Sequence, residues 1–163
     1  MKRLFATALA LGLSACATTG DDRPTKSWRK ISQVEQRFAI FLNEPGSPKT
    51  GDLVTFRLAY VYIPGEVTYQ NKPVAWQEYA AMTVNCASQQ LRAGPRTRYS
   101  PDGAVLASDD DQTFTAIVAG TAADKAARAR CEGGAGEAVF RVKDGPAWTS
   151  AARTHIASTP PGP

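Results

Sequence analysis

Residues 52–63 read DLVTFRLAYVYI. Val54, Phe56, Leu58, Tyr60 and Tyr62 are two apart, and side chains two apart on an extended chain share a face. Thr55 and Arg57 begin the opposite face, which turns apolar at Ala59 and Val61. This alternation, rich in β-branched and aromatic residues, predicts a strand that toward Val61 is buried on both sides or covered by a partner. Its aromatic residues are read as core rather than as a ligand platform.

Working outward, residues 37–42 (RFAIFL) are another strand-forming run, and residues 43–51 (NEPGSPKTG) form a turn cluster between the two, so together they predict a hairpin. Downstream, residues 64–73 (PGEVTYQNKP) read as a loop, and residues 74–86 (VAWQEYAAMTVNC) as a strand whose alanine content also admits a helix. Residues 88–99 form a strand interrupted at Gly94-Pro95, which marks an edge or a bulge. Pro101-Asp102-Gly103 is a turn, residues 104–107 a short strand, and residues 114–118 the start of another element. Between those two, Asp109-Asp110-Asp111 reads as a solvated turn, without the alternating oxygen ligands of a calcium loop.

Residues 121–131 (TAADKAARARC) carry the clearest helix signals. Thr121 is placed to cap, Asp124 stands three residues later as in a capping box, and Lys125, Arg128 and Arg130 suit the C-terminal end of the dipole. Ala123, Ala127 and Cys131, with Ala126 beside them, form a small-residue stripe that lets a helix lie close on a sheet, and Gly133-Gly134 supplies a stop. Residues 137–142 (EAVFRV) are a candidate last strand. Residues 144–163, rich in Pro, Gly, Ser, Thr and Ala, read as a disordered tail that leaves His155 exposed. The expected fold class is α+β, an antiparallel sheet with one helix packed on it toward the C-terminal side.

The N-terminal residues place the chain in a cell. Lys2 and Arg3 precede a ten-residue apolar run, residues 4–13 (LFATALALGL), which is half the length of about 20 residues that a membrane-spanning helix needs. The run suits a secretory signal and leads into Leu13-Ser14-Ala15-Cys16, which resembles the bacterial lipobox. The reading is a lipoprotein signal peptide over residues 1–15, lipidation of Cys16, and a flexible tether over residues 16–27. Lys2 and Arg3 supply half of the +4 formal charge, so much of the basicity belongs to targeting. Ala17, not Asp, follows the lipidated cysteine, and by resemblance to enterobacterial lipoproteins that implies sorting to the outer membrane. Several acyl chains, at about 0.8 kcal/mol per buried methylene, make a lasting anchor to the membrane.

With Cys16 lipidated, Cys86 and Cys131 remain, and an oxidising compartment leaves them one intramolecular pairing. That bridge closes a loop of about 46 residues, a constraint of roughly 4 kcal/mol on the unfolded chain. Two free thiols are the alternative.

Trp28, Phe38 and Phe41, Gly51-Asp52-Leu53-Val54, Asn85-Cys86-Ala87, Arg98-Tyr99 leading to Gly103, and Ala127-x-x-x-Cys131 together resemble the surface-adhesin protein E-like family of bacterial lipoproteins. The resemblance covers residues 28–131; the domain is read as residues 28–143, and the part after Cys131 lies outside the family pattern. It implies an antiparallel sheet with a disulfide-joined helix. The founding adhesin binds host extracellular-matrix and serum proteins, which implies an extracellular-matrix, serum or envelope macromolecule as partner.

Function follows from what the residues provide and lack. Arg92, Arg96 and Arg98 have the same strand parity, so a regular strand would project three guanidiniums from one face as an anion-binding surface. The alternative is a charged face of an edge strand that deters pairing. There is one histidine, and no Walker loop, G-x-S-x-G or H-E-x-x-H. No catalytic residue, metal site or cofactor is expected, and an exported chain of modest charge is not expected to bind nucleic acid. The expected function is a non-catalytic, adhesin-like binding module on the outer envelope. The alternative is a periplasm-facing structural or accessory lipoprotein.

Overall fold

The computed structural model describes residues 27–44, 46–132, 140–143 and 147–159. The expected leader, the expected lipidation at Cys16, the expected tether before Ser27 and the expected glycine stop at Gly133-Gly134 lie outside the described residues. In chain order the elements are β1 (Ser27–Val34), β2 (Phe38–Glu44), β3 (Leu53–Tyr62), β4 (Thr68–Tyr69), β5 (Lys72–Pro73), β6 (Trp76–Asn85), β7 (Gln90–Tyr99), β8 (Val105–Ala116), α1 (Ala122–Cys131), β9 (Arg141–Lys143) and α2 (Trp148–Ser158). Strands β8-β7-β6-β3-β2-β1-β9 form one seven-stranded sheet whose neighbours all pair antiparallel. Strands β4 and β5 form a small separate hairpin in the region read as a loop.

The alternation in residues 52–63 does what it predicts. Val54, Phe56 and Leu58 enter one core with Ile40, Leu42, Met82 and Val84, under Ala126 and Ala127 of α1. Ala59 and Val61 enter a second core on the opposite face, with Trp28, Ala39 and Phe41 and with Trp148, Ala152 and Ile156 of α2. Both faces of β2 and β3 are therefore covered, which is why this strand is apolar on both sides at its end. Trp28 and Trp148 stack with centroids 4.4 Å apart, and Phe41 meets Trp148 edge-on.

Helix α1 begins as its sequence indicates: Thr121 caps it, accepting a bond from the Asp124 backbone N–H. The Asp124 carboxylate accepts from the Gly120 N–H and pairs with Arg128 one turn on. At the other end of α1 a disulfide joins Cys131 to Cys86, just past β6.

Three expectations need correction. The tail is not disordered throughout: residues 148–158 form α2, because Trp148, Ala152 and Ile156 recur every four residues and bury one stripe on the sheet. The sheet thus carries two helices, one per face, where one helix was expected. Asp109-Asp110-Asp111 is not a turn. It is the middle of β8, an edge strand whose residues from Ser108 onward are all exposed, where polarity is compatible with extension. His155 is not an exposed tail residue: its ring stacks on Phe140 with centroids 4.0 Å apart.

Candidate functional site

The three arginines singled out from the sequence all stand on β7, but they do not share a face. The register between β3 and β6 slips between Phe56 and Leu58, with the extra residue on β6. As a result Tyr79, Met82 and Val84 all face the α1 core, and Thr83 points the other way. Strand β7 follows this irregularity: Arg96 is opposite Tyr79, whereas Arg92 is opposite Thr83. The device in β7 is Gly94. Its φ is +67°, and a Cβ there would stand 2.4 Å from the Ala81 carbonyl oxygen, so both conformation and contact demand glycine. Gly94-Pro95 therefore marks a bulge inside the sheet, and it turns Arg92 to the α2 side.

Arg96 and Arg98 converge on one carboxylate. Arg96 donates through Nε and Nη2 to Asp109 at 2.8 and 2.9 Å, and Arg98 Nη1 donates to Asp109 Oδ2 at 2.7 Å. Hydrogen bonds from Arg96, then from Arg98, hold the Asp109 carboxyl down at about 2, and the Asp109 bond holds Arg96 above its ordinary value. Each guanidinium also lies over an aromatic ring, Arg96 over Tyr79 and Arg98 over Tyr69 of the β4–β5 hairpin. Tyr79 is 6.1 Å from Tyr60, and Phe38 touches both Tyr60 and Tyr62. Burial, with a smaller contribution from Tyr79, pushes the Tyr60 hydroxyl up to about 12, and burial also raises Tyr62. These phenols remain protonated donors throughout the physiological range.

The result is a cluster of four tyrosines, a phenylalanine and two oriented arginines on the α1 side of the sheet, in which Tyr62 is buried and Tyr60, Tyr69 and Tyr79 are half-buried. Sequence reading missed its composition. Tyr62 is core, as read, and Tyr60 packs against the core; Tyr79 and Tyr69 were not singled out, and Asp109 was assigned to a turn. The available signal was the common parity of Arg96 and Arg98 followed, one turn later, by an acidic run able to pair with them.

No protein-family model, curated protein or solved structure matches this chain. The site is thus described by its own geometry.

Other features sort quickly. Among the described residues no three or more His, Cys, Asp or Glu side chains are grouped to hold a metal ion. The Thr159 hydroxyl reaches the His155 ring at 3.3 Å but donates to the His155 carbonyl at 2.7 Å, so the imidazole does not act on it as a base. Lys30 Nζ lies 2.9 Å from His155 Nε2, and an ammonium can only donate, so the ring accepts there as neutral imidazole. Burial, then the charge of Lys30, lowers the His155 pKa. A shallow groove of about 480 Å³ runs between α2 and the end of β3, with Ile63, Pro64, Arg153 and Ala157 among its lining residues.

Proposed function

We propose that this chain is a lipid-anchored, non-catalytic binding module of the outer envelope, akin to the surface-adhesin protein E-like lipoproteins. Lipid at Cys16 would hold it at the membrane. Its partner would be an extracellular-matrix, serum or envelope macromolecule. The observation that carries this reading is the patch of half-buried Tyr60, Tyr69 and Tyr79 around Arg96 and Arg98. Tyrosine and arginine dominate protein contact surfaces because each offers a large, stiff, partly apolar area with a polar end. Asp109 orients both guanidiniums in advance, so less side-chain freedom is lost when a partner docks. The basic start, apolar run and lipobox in residues 1–16 support the anchor, and the Cys86–Cys131 bridge suits an oxidising compartment.

The test is capture of matrix, serum and envelope components by the full mature protein, compared with a Tyr79→Ala/Arg96→Ala double variant. The expected result is a partner retained by the wild type and weakened about tenfold or more in the variant, the scale of one contact hot spot. Equal capture by both proteins contradicts the reading. Mass spectrometry of the native product should find an acylated Cys16 as the first residue; an intact, unmodified Met1 overturns the anchor. Protease shaving of whole cells separates surface display from a periplasm-facing role.

A further inference from the structure

We infer that Arg92, Thr83 and Thr55 form a site for a tetrahedral oxyanion, a sulfate or phosphate group, on the α2 side of the sheet. The site is separate from the tyrosine patch and does not depend on its function. The three residues form one transverse row in register: Thr55 of β3 faces Thr83 of β6, Thr83 faces Arg92 of β7, and Phe114 of β8 closes the row. Arg92 Nη2 donates to Thr83 Oγ1 at 3.4 Å, and the two threonine hydroxyls are 3.2 Å apart. The guanidinium lies 5.3 Å over the Phe114 ring.

Proton direction along the row determines what it can bind. A guanidinium only donates, so Thr83 Oγ1 accepts from Arg92. Thr83 is 4% exposed, and a buried hydroxyl proton needs an acceptor, which Thr55 Oγ1 supplies. The Thr55 proton then has no acceptor among the described residues and can turn outward. The row therefore ends in donors: the Thr55 hydroxyl on one side and the remaining Nη N–H groups of Arg92 on the other, while Arg92 Nε is buried without a hydrogen-bond partner among the described residues. Its complement is a group that only accepts.

Charge supports the same complement. Arg96 and Arg98 share Asp109, Arg57 pairs with Glu78, and Arg128 pairs with Asp124. Among the described residues Arg92 makes no ion pair. The carboxylates of β8 that stand next along the strand serve their own chain: Asp110 accepts from the Gln112 side chain, and Asp111 accepts from the Thr113 backbone N–H. Arg92 is thus a fixed cation with its aromatic face already covered and no carboxylate of its own.

The experiment is nuclear magnetic resonance titration of the full mature protein with sodium sulfate and sodium phosphate, against sodium chloride at matched ionic strength. A heparin hexasaccharide and its desulfated form make up a second arm. The expected result is saturable shifts at Thr55, Thr83 and Arg92 with the tetrahedral anions and not with chloride. Loss of the hexasaccharide response on desulfation would assign the group to a sulfate ester, and response to the inorganic anions alone would assign it to a free anion. Arg92→Gln should weaken binding about tenfold or more, Thr55→Val should weaken it less, and Arg96→Gln should leave it intact. Thr55→Val is nearly isosteric, so it serves if Arg92→Gln does not fold. No saturable response to any of these anions, or a response that moves with Arg96 instead, overturns the site.

Discussion

The two ends of the sheet are built differently. At one end, β9, β1, β2 and β3 lie between two helices, and Trp28, Phe41, Leu58 and Val61 show no exposure at all. At the other, β7 and β8 bury little: the buried residue in β7 is Gly94, and β8 has none. The covered end is held by apolar burial, at about 25 cal/mol for each Å² removed from water. The open end is held by the Arg96–Asp109–Arg98 triad, by arginines over rings, and by the Trp76–Tyr99 stack at 4.5 Å. Ion pairs of this exposure contribute little to stability but fix side chains in place, which is what a contact surface requires. The difference separates a part that holds the fold from a part that leaves its polar side chains at the surface.

The comparison breaks most readily at the covered end. Trp148→Ala should cost about 3–5 kcal/mol in chemical denaturation, because it removes the ring that stacks on Trp28 and meets Phe41. A loss under 1 kcal/mol would mean that α2 adds little and that the two ends are more alike than described. At the junction, Gly94→Ala should cost about 1–3 kcal/mol, since the new Cβ meets the Ala81 carbonyl at a positive φ. It should also disturb the amide signals of Arg92 and Arg96 together, whereas a neutral result would remove the bulge as the device that parts them.

At the open end, Asp109→Asn should change stability by no more than about 1 kcal/mol, yet release Arg96 and Arg98. The sign for acid is fixed by the lowered Asp109 pKa: its contribution is complete above the unfolded value of about 4 and is lost as pH falls toward 2. Wild type and variant should therefore converge in denaturation midpoint at low pH; a constant gap contradicts the triad. The smallest effect belongs to His155, the single histidine. Its pKa is lowered in the fold, so stability is complete above the ordinary value of about 6.5 and declines as pH falls below it. From pH 7.5 to 5.5, the protection factors of α2 amides, corrected for the intrinsic exchange rate, should fall, and His155→Gln should remove that fall.

Much of the covered end was legible. The period-2 run in residues 52–63 marks β3 because both of its faces meet a core, and Thr121 with Asp124 marks the start of α1 because capping is local chemistry. Helix α2 was hidden by its composition: its alanines, serines and threonines resemble a linker, and three residues four apart bury it. The arginine face was misread for a different reason. Parity counts hold only along an unbroken strand, and the irregularities in β6 and β7 turn Arg92 away from Arg96 and Arg98. Gly94-Pro95 announced a break, but which side chains it would redirect depends on the Ala81 carbonyl in the neighbouring strand. Asp109 became legible as a partner only once β8 was seen to pair with β7.

The most direct test of the central claim is side-chain footprinting of the full protein with and without the partner fraction of the capture experiment. Protection should fall on Tyr69 and Tyr79 at the open end and on Tyr60 where the patch reaches β3, while Trp148 and the outer side of α2 react unchanged. Protection confined to α2, with the three tyrosines as reactive as in the free protein, would contradict the assignment of the open end as the contact surface.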